Sequence, residues 1–93
     1  MTTTNVNDQV QQVLEQLVAT DQETGIQMAA YLDGELVVDA WAGVADPESG
    51  RPVDGDTLIN VWSAGKGVAV TTIHALAERG VLAYDAPLTR YWP

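Results

Sequence analysis

The stretch from Ser63 to about Arg79 has helical spacing but is apolar on nearly every side. Ala64, Val68, Ala69, Val70, Ile73, Ala75, Leu76 and Ala77 leave it no consistent polar face. Such a helix is normally buried between other layers. With 93 residues the chain is one small domain or part of a larger one. Outside this helix it offers one amphipathic helix, one hairpin and loops, which is too little to enclose an apolar cylinder. The sequence therefore predicts a buried helix, capped by Gly80 at its C-terminus, whose cover comes from outside the chain.

The remaining elements follow from periodicity. Val10, Val13, Leu14, Leu17 and Val18 recur at three- and four-residue spacing, predicting an amphipathic helix from about Asn7 to Ala19, with Asn5 or Asn7 as its cap. Ile26 to Leu32 and Glu35 to Gly43 read as strands flanking Asp33-Gly34, a strong hairpin signal. In the second strand Leu36, Val38 and Ala40 alternate with Val37, Asp39 and Trp41. The resulting division is 1–25 helix and loop, 26–43 hairpin, 44–62 polar loop, 63–80 apolar helix and 81–93 an extended, proline-punctuated segment.

Thirteen acidic residues against four basic give a net charge of −9. That argues against a nucleic-acid or anionic-membrane surface, since either needs a basic patch. No apolar run is long enough to span a bilayer. The first residues lack a basic region followed by an apolar stretch, so the expected address is cytoplasmic. With no cysteine and a single histidine, His74, neither disulfide nor metal site is expected, and no cofactor is called for.

The chemistry-bearing residues sit at the start of the apolar helix. Ser63 is one of two serines, and it precedes the only lysine, Lys66, by three positions. Residues three apart share a helix face. A serine hydroxyl is a poor nucleophile without a base in contact, and a lysine serves as that base when its pKa falls from ~10.4 towards ~7. Burial without a nearby carboxylate supplies such a shift, and no acid lies between Asp56 and Glu78. A serine opening a helix also has an unpaired backbone N–H that favours an oxyanion. Gly65 and Gly67 inside the first turns suggest close approach of a substrate or another backbone. Ser-x-x-Lys alone is nonetheless a weak signal, frequent in unrelated proteins.

Its context is more specific. Gly43-Val-Ala-Asp46, Pro52, Thr57-Leu58, Ser63-x-x-Lys66, Leu76, Gly80, Leu82-x-x-Asp85-x-Pro87-Leu88 and Tyr91-x-Pro93 occur in order. From about residue 26 to its end the chain resembles the N-terminal part of the serine β-lactamase and penicillin-binding-protein superfamily, most of all its class C β-lactamase-like esterase branch. The resemblance implies an α+β domain, an antiparallel sheet flanked by helices, of which this chain supplies the first helix, the hairpin and the nucleophile helix. It also implies Ser63 as acylated nucleophile, Lys66 as proton-transfer partner and a small ester or amide as substrate.

Two family elements do not follow Ser63: a Tyr-x-Asn, which supplies a second acid/base, and a late-strand Lys/His-Thr/Ser-Gly or Trp-x-Gly. Trp41-Ala-Gly43 matches the latter only in letters, because it precedes the serine; Trp41 reads as a core aromatic. His74 lies eleven residues after Ser63, about 16 Å along a helix, too far to be its base. It reads as a hydrogen-bonded structural histidine. Trp62 reads as a core or pocket-wall aromatic, and Asp85 and Pro87 as turn-formers. The chain alone is expected to be inactive and to need the remainder of the catalytic domain, in cis or as a second chain. The alternative is a small acidic α/β structural or binding protein that covers its core by self-association.

Overall fold

Asn5 begins the first element by accepting a hydrogen bond from the Asp8 N–H at 2.8 Å, which satisfies one of the unpaired amides of a helix start. In the computed structural model, which describes residues 5–93, helix α1 runs Val6–Ala19. It ends in a Schellman motif. Asp21 takes a left-handed φ of 59°, its N–H bonds Val18 O at 3.1 Å, and the Gln22 N–H bonds Leu17 O at 2.9 Å. Contacts divide the chain into two units between Leu58 and Ile59.

In the first unit, strands β1 (Gly25–Leu32), β2 (Glu35–Asp46) and β3 (Arg51–Pro52) form an antiparallel sheet in the order β1-β2-β3. Asp33 and Gly34 join β1 to β2 with φ of 51° and 82°, the paired left-handed residues of a two-residue hairpin turn. Helix α1 lies on one sheet face. Leu14 packs with Val38, Ala40 and Ala42 as the buried core, flanked by Val10, Leu17, Val18, Ile26 and Ala30. Val13, expected on the buried face, is exposed beside Met28 at the rim of that face.

The loose alternation of β2 has a structural cause. The register shifts after Ala30↔Val38 to Tyr31↔Leu36, leaving Val37 as an extra residue. The bulge brings Val37 against the core and leaves Leu36 exposed.

Strand β2 also continues past Gly43, where it was expected to end. Gly43 sits at φ 91°, and a Cβ there would lie 2.1 Å from Thr24 O. Glycine lets the strand pass this close crossing without interruption. The segment expected as a plain loop is accordingly structured. The Val53 N–H bonds Gly43 O at 2.9 Å, and Val53 is buried over Gly25. The Asp54–Thr57 turn is closed by Asp54 Oδ1 accepting from the Asp56 N–H at 2.8 Å. Gln27 Nε2 donates to Asp54 O and Thr57 O at 2.7 and 2.9 Å, tying that turn to the sheet face opposite α1. Trp41 is half-exposed on this face, not a core aromatic. Its ring lies over Gly55, where a Cβ would meet it at 3.2 Å.

The second unit holds a 3-10 turn (Trp62–Ala64), helix α2 (Gly65–Glu78) and a 3-10 turn (Leu88–Arg90). The Gly80 cap is a second Schellman motif: φ is 76°, the Gly80 N–H bonds Ala77 O and the Val81 N–H bonds Leu76 O, both at 3.0 Å. The last segment is less extended than expected. A turn closes from the Ala86 N–H to Ala83 O at 3.2 Å, and Tyr91 Oη accepts from the Ala83 N–H at 2.9 Å.

No residue of α2 is buried. The helix is present and apolar as predicted, and the described residues of its own unit, two 3-10 turns and their connections, form no second layer over it. No helix among the described residues is long and apolar enough to cross a membrane.

Candidate active site

The approach to Ser63 is set by local backbone chemistry. Asn60 Oδ1 accepts from the Trp62 N–H at 3.0 Å, an Asx turn that reverses the chain after its apolar approach. Trp62 follows with φ 49°, a left-handed conformation that is unusual for a bulky residue. Ser63 is then the central residue of the 3-10 turn, which the Ala64 N–H closes on Val61 O at 3.1 Å.

Ala64 (φ −61°, ψ −26°) and Gly65 (φ −63°, ψ −19°) are both helical, so the turn runs into α2 without a break. Ser63 and Lys66 are therefore one helical step of three residues apart, on the same side of the chain. Among the described residues, neither the Ser63 hydroxyl nor the Lys66 ammonium has a hydrogen-bond or ion-pair partner, and they are not bonded to each other. The Ser63 backbone N–H is likewise without an acceptor, as a helix start leaves it.

Both side chains are exposed. The desolvation of Lys66 expected from a buried helix thus needs cover that these residues do not provide. Gly65 meets only a Val61 methyl, at 3.6 Å from the position of a Cβ, and Gly67 meets nothing within 4 Å. The close approach expected at these glycines is not made by the described residues, and the space over Gly67 is open.

Further along the unit, His74 Nδ1 is 2.6 Å from Tyr84 Oη, with the rings edge-on at 5.5 Å between centroids. The histidine is hydrogen-bonded, and its partner fastens the segment after α2 back onto the helix. Trp62 is 83% exposed, so it is not a core aromatic among the described residues. Sequence reasoning missed Asn60. The signal was an Asx-turn former two residues before a helix start, masked by the apolar residues around it in Leu58-Ile59-Asn60-Val61-Trp62. No group of three or more metal-binding side chains lies together among the described residues.

A chain with this geometry can be compared with known proteins. The Beta-lactamase family pattern matches residues 10–93. An "Esterase/beta-lactamase LipL" of Mycobacterium tuberculosis is 48% identical over 69 residues, covering 74% of this chain and 16% of that protein. An "Esterase EstB" of Burkholderia gladioli is 42% identical over 60 residues, 64% of this chain and 15% of that protein. The chain therefore spans about a sixth of the length of these curated relatives.

Proposed function

The chain belongs to the beta-lactamase family, and from that premise we propose that it is the N-terminal segment of a serine hydrolase acting on ester or amide bonds through an acyl-enzyme on Ser63. One observation carries the reading: an exposed serine with an unpaired backbone N–H enters a helix in continuous helical geometry three residues before an unpaired lysine. The esterase names of the relatives support ester substrates.

The chemistry follows from the groups present. Lys66 Nζ, acting as the base, takes the Ser63 hydroxyl proton as Oγ attacks the substrate carbonyl carbon. The carbonyl oxygen becomes an oxyanion, and the Ser63 N–H at the helix start donates to it. The tetrahedral intermediate collapses, the alcohol or amine leaves with a proton, and the acyl group stays on Oγ. Water then attacks the acyl carbon, the bond to Oγ breaks, the carboxylic acid leaves, and Oγ recovers a proton that came from the water.

The remainder of the domain, in cis or as a second chain, is the partner this reading requires. It covers α2, dehydrates Lys66 and brings a second acid/base. A fluorophosphonate, which labels activated serines, tests the proposal on the 93-residue chain and on the same chain completed by the rest of its domain. Labelling is expected only in the completed protein, at Ser63, and is lost in Ser63→Ala and Lys66→Ala. Labelling that survives Ser63→Ala would refute the assignment. Brisk p-nitrophenyl ester turnover by the 93-residue chain, abolished by Ser63→Ala, would refute the need for completion.

A further inference from the structure

Two cross-strand neighbours hold the turn from which the chain departs toward Ser63. Within that turn, Asp54 Oδ1 accepts from the Asp56 N–H at 2.8 Å and from the Thr57 hydroxyl at 3.1 Å, and Thr57 Oγ1 accepts from the Asp54 N–H at 2.8 Å. Bonds between such near neighbours define the shape of a turn. Its place is set from the sheet. Gln27 and Trp41 are register partners on β1 and β2. The Gln27 amide takes the carbonyls at both ends of the turn, Asp54 O at 2.7 Å and Thr57 O at 2.9 Å. The Trp41 ring lies against Gly55 between them, 3.2 Å from where a Cβ would stand.

The residue types match this task. Both partners of Gln27 are carbonyl oxygens, so only a group with two N–H donors can serve them together. Glutamine supplies two without a charge, whereas glutamate of the same length would set carboxylate oxygens against both carbonyls. All these contacts are made within the first unit, so none of them waits on the remainder of the domain. Thr57 then stands six residues before Ser63. Six residues of chain span at most about 20 Å. That short tether carries its own restraint at its far end, the Asn60 Asx turn and the left-handed Trp62.

Resting on the reading of Ser63 as nucleophile, we infer that Gln27 is a positioning residue for it. The Gln27 amide pins both carbonyl ends of the Asp54–Thr57 turn and so fixes the point from which the tether starts. With its start pinned and its far end turned by Asn60 and Trp62, the tether delivers Ser63 to its base and substrate in a repeatable place. Acyl transfer depends on that placement, since a misplacement of about 1 Å can cost about a hundredfold in rate. Gln27 touches neither substrate nor reacting atoms and acts through the backbone of Thr57.

The test is the saturation kinetics of fluorophosphonate labelling in the completed domain, well below the melting temperature of each variant. Gln27→Met keeps the length of the side chain and removes both donors. It is expected to lower the maximal labelling rate at Ser63 by about tenfold while the half-saturating concentration changes little. Thr57→Val removes the hydroxyl that closes the turn and is expected to lower the maximal rate to a smaller extent, which keeps the test decisive should Gln27→Met fail to fold. Gly34→Ala is the control. It strains the hairpin turn of the same unit, where an added Cβ meets nothing within 4 Å, so it is expected to lower the melting temperature and leave the maximal rate unchanged. A wild-type maximal rate in folded Gln27→Met or Thr57→Val would overturn the inference. So would a Gly34→Ala slowed as much as Gln27→Met, because the rate would then follow stability alone. A completed wild type that is not labelled at Ser63 would instead refute the hydrolase reading, and the inference with it.

Discussion

Gln11 pairs with the main chain of Trp41 in both directions. Its Nε2 donates to Trp41 O at 2.8 Å, and its Oε1 accepts from the Trp41 N–H at 3.2 Å. One turn earlier, Asn7 Oδ1 accepts from the Asp39 N–H at 2.7 Å. Four residues of helix rise about 6 Å and two residues of strand nearly 7 Å, so side chains at i and i+4 match a strand edge at j and j+2. Helix α1 thus acts as a further edge strand built from two side-chain amides, as well as the lid of the core.

From this pairing, Gln11→Ala is expected to destabilise the first unit by about 1–2 kcal/mol, because two backbone groups lose their partners together. Asn7→Ala removes a single bond and is expected to cost less. Amide hydrogen exchange checks the origin of the loss: Trp41 N–H should lose protection in Gln11→Ala and Asp39 N–H in Asn7→Ala, while Ala40 N–H, bonded within the hairpin ladder, stays protected in both.

Two glycines with similar backbone angles should respond differently to alanine. Gly34 has φ 82° with nothing within 4 Å of a Cβ, so Gly34→Ala meets only the left-handed penalty of about 1–2 kcal/mol. Gly43 has φ 91° and a Cβ there would strike Thr24 O at 2.1 Å, so Gly43→Ala must also part β2 from the start of β1. Its expected loss exceeds that of Gly34→Ala by at least about 2 kcal/mol, in the range of overpacked cores. Urea midpoints of the two variants decide the order, and equal losses would show that the crossing relaxes freely.

These cases mark where sequence was sufficient. Asp33-Gly34 and Gly80 were legible because a left-handed residue is a local demand that glycine or aspartate announces by identity. The apolar stripe of α1 was legible through its period. Gln11, Asn7 and Gln27 were not, since an amide on a polar helix face or in a strand carries no mark of the backbone group that it will reach thirty residues away. The Val37 bulge was hidden for the same reason, as both Leu36 and Val37 suit a core. At the candidate site Ser63 and Lys66 stood out by rarity and spacing, whereas the left-handed Trp62 had no signal, because tryptophan seldom adopts that conformation.

Asp46 opens the turn into β3, and its carboxyl lies below the ordinary carboxylate range. The hydroxyl of Ser49 and then the Glu48 N–H, which donates to Oδ1 at 3.0 Å, hold it ionised. A group whose folded pKa is depressed contributes stability above its unfolded pKa and loses it as pH falls through the folded value. The Asp46 turn is therefore expected to weaken on acidification below the normal carboxylate range. Carboxyl NMR titration should place Asp46 below the ordinary value of an aspartate, and Ser49→Ala should move it upward. An unchanged titration in Ser49→Ala would remove the hydroxyl as the main cause.

Trp62 bears a strained backbone directly ahead of Ser63, and strain of that kind is retained where the surroundings demand it. Its side chain is 83% exposed, so little burial offsets the conformation. What holds it is the Asn60 side chain on its N–H. In the 93-residue chain, Trp62→Gly is expected to relieve up to about 1 kcal/mol of strain and raise the melting temperature. In the completed domain it is also expected to slow fluorophosphonate labelling, since the released backbone no longer fixes the entry of Ser63 into the helix. Asn60→Ala removes the restraint without removing the strain, so it is expected to lower both stability and labelling rate. Opposite signs in stability with the same sign in rate separate a device that presents the serine from a side chain that merely packs. A Trp62→Gly protein that labels at the wild-type rate would leave the left-handed turn as a structural accident of the chain's approach to α2.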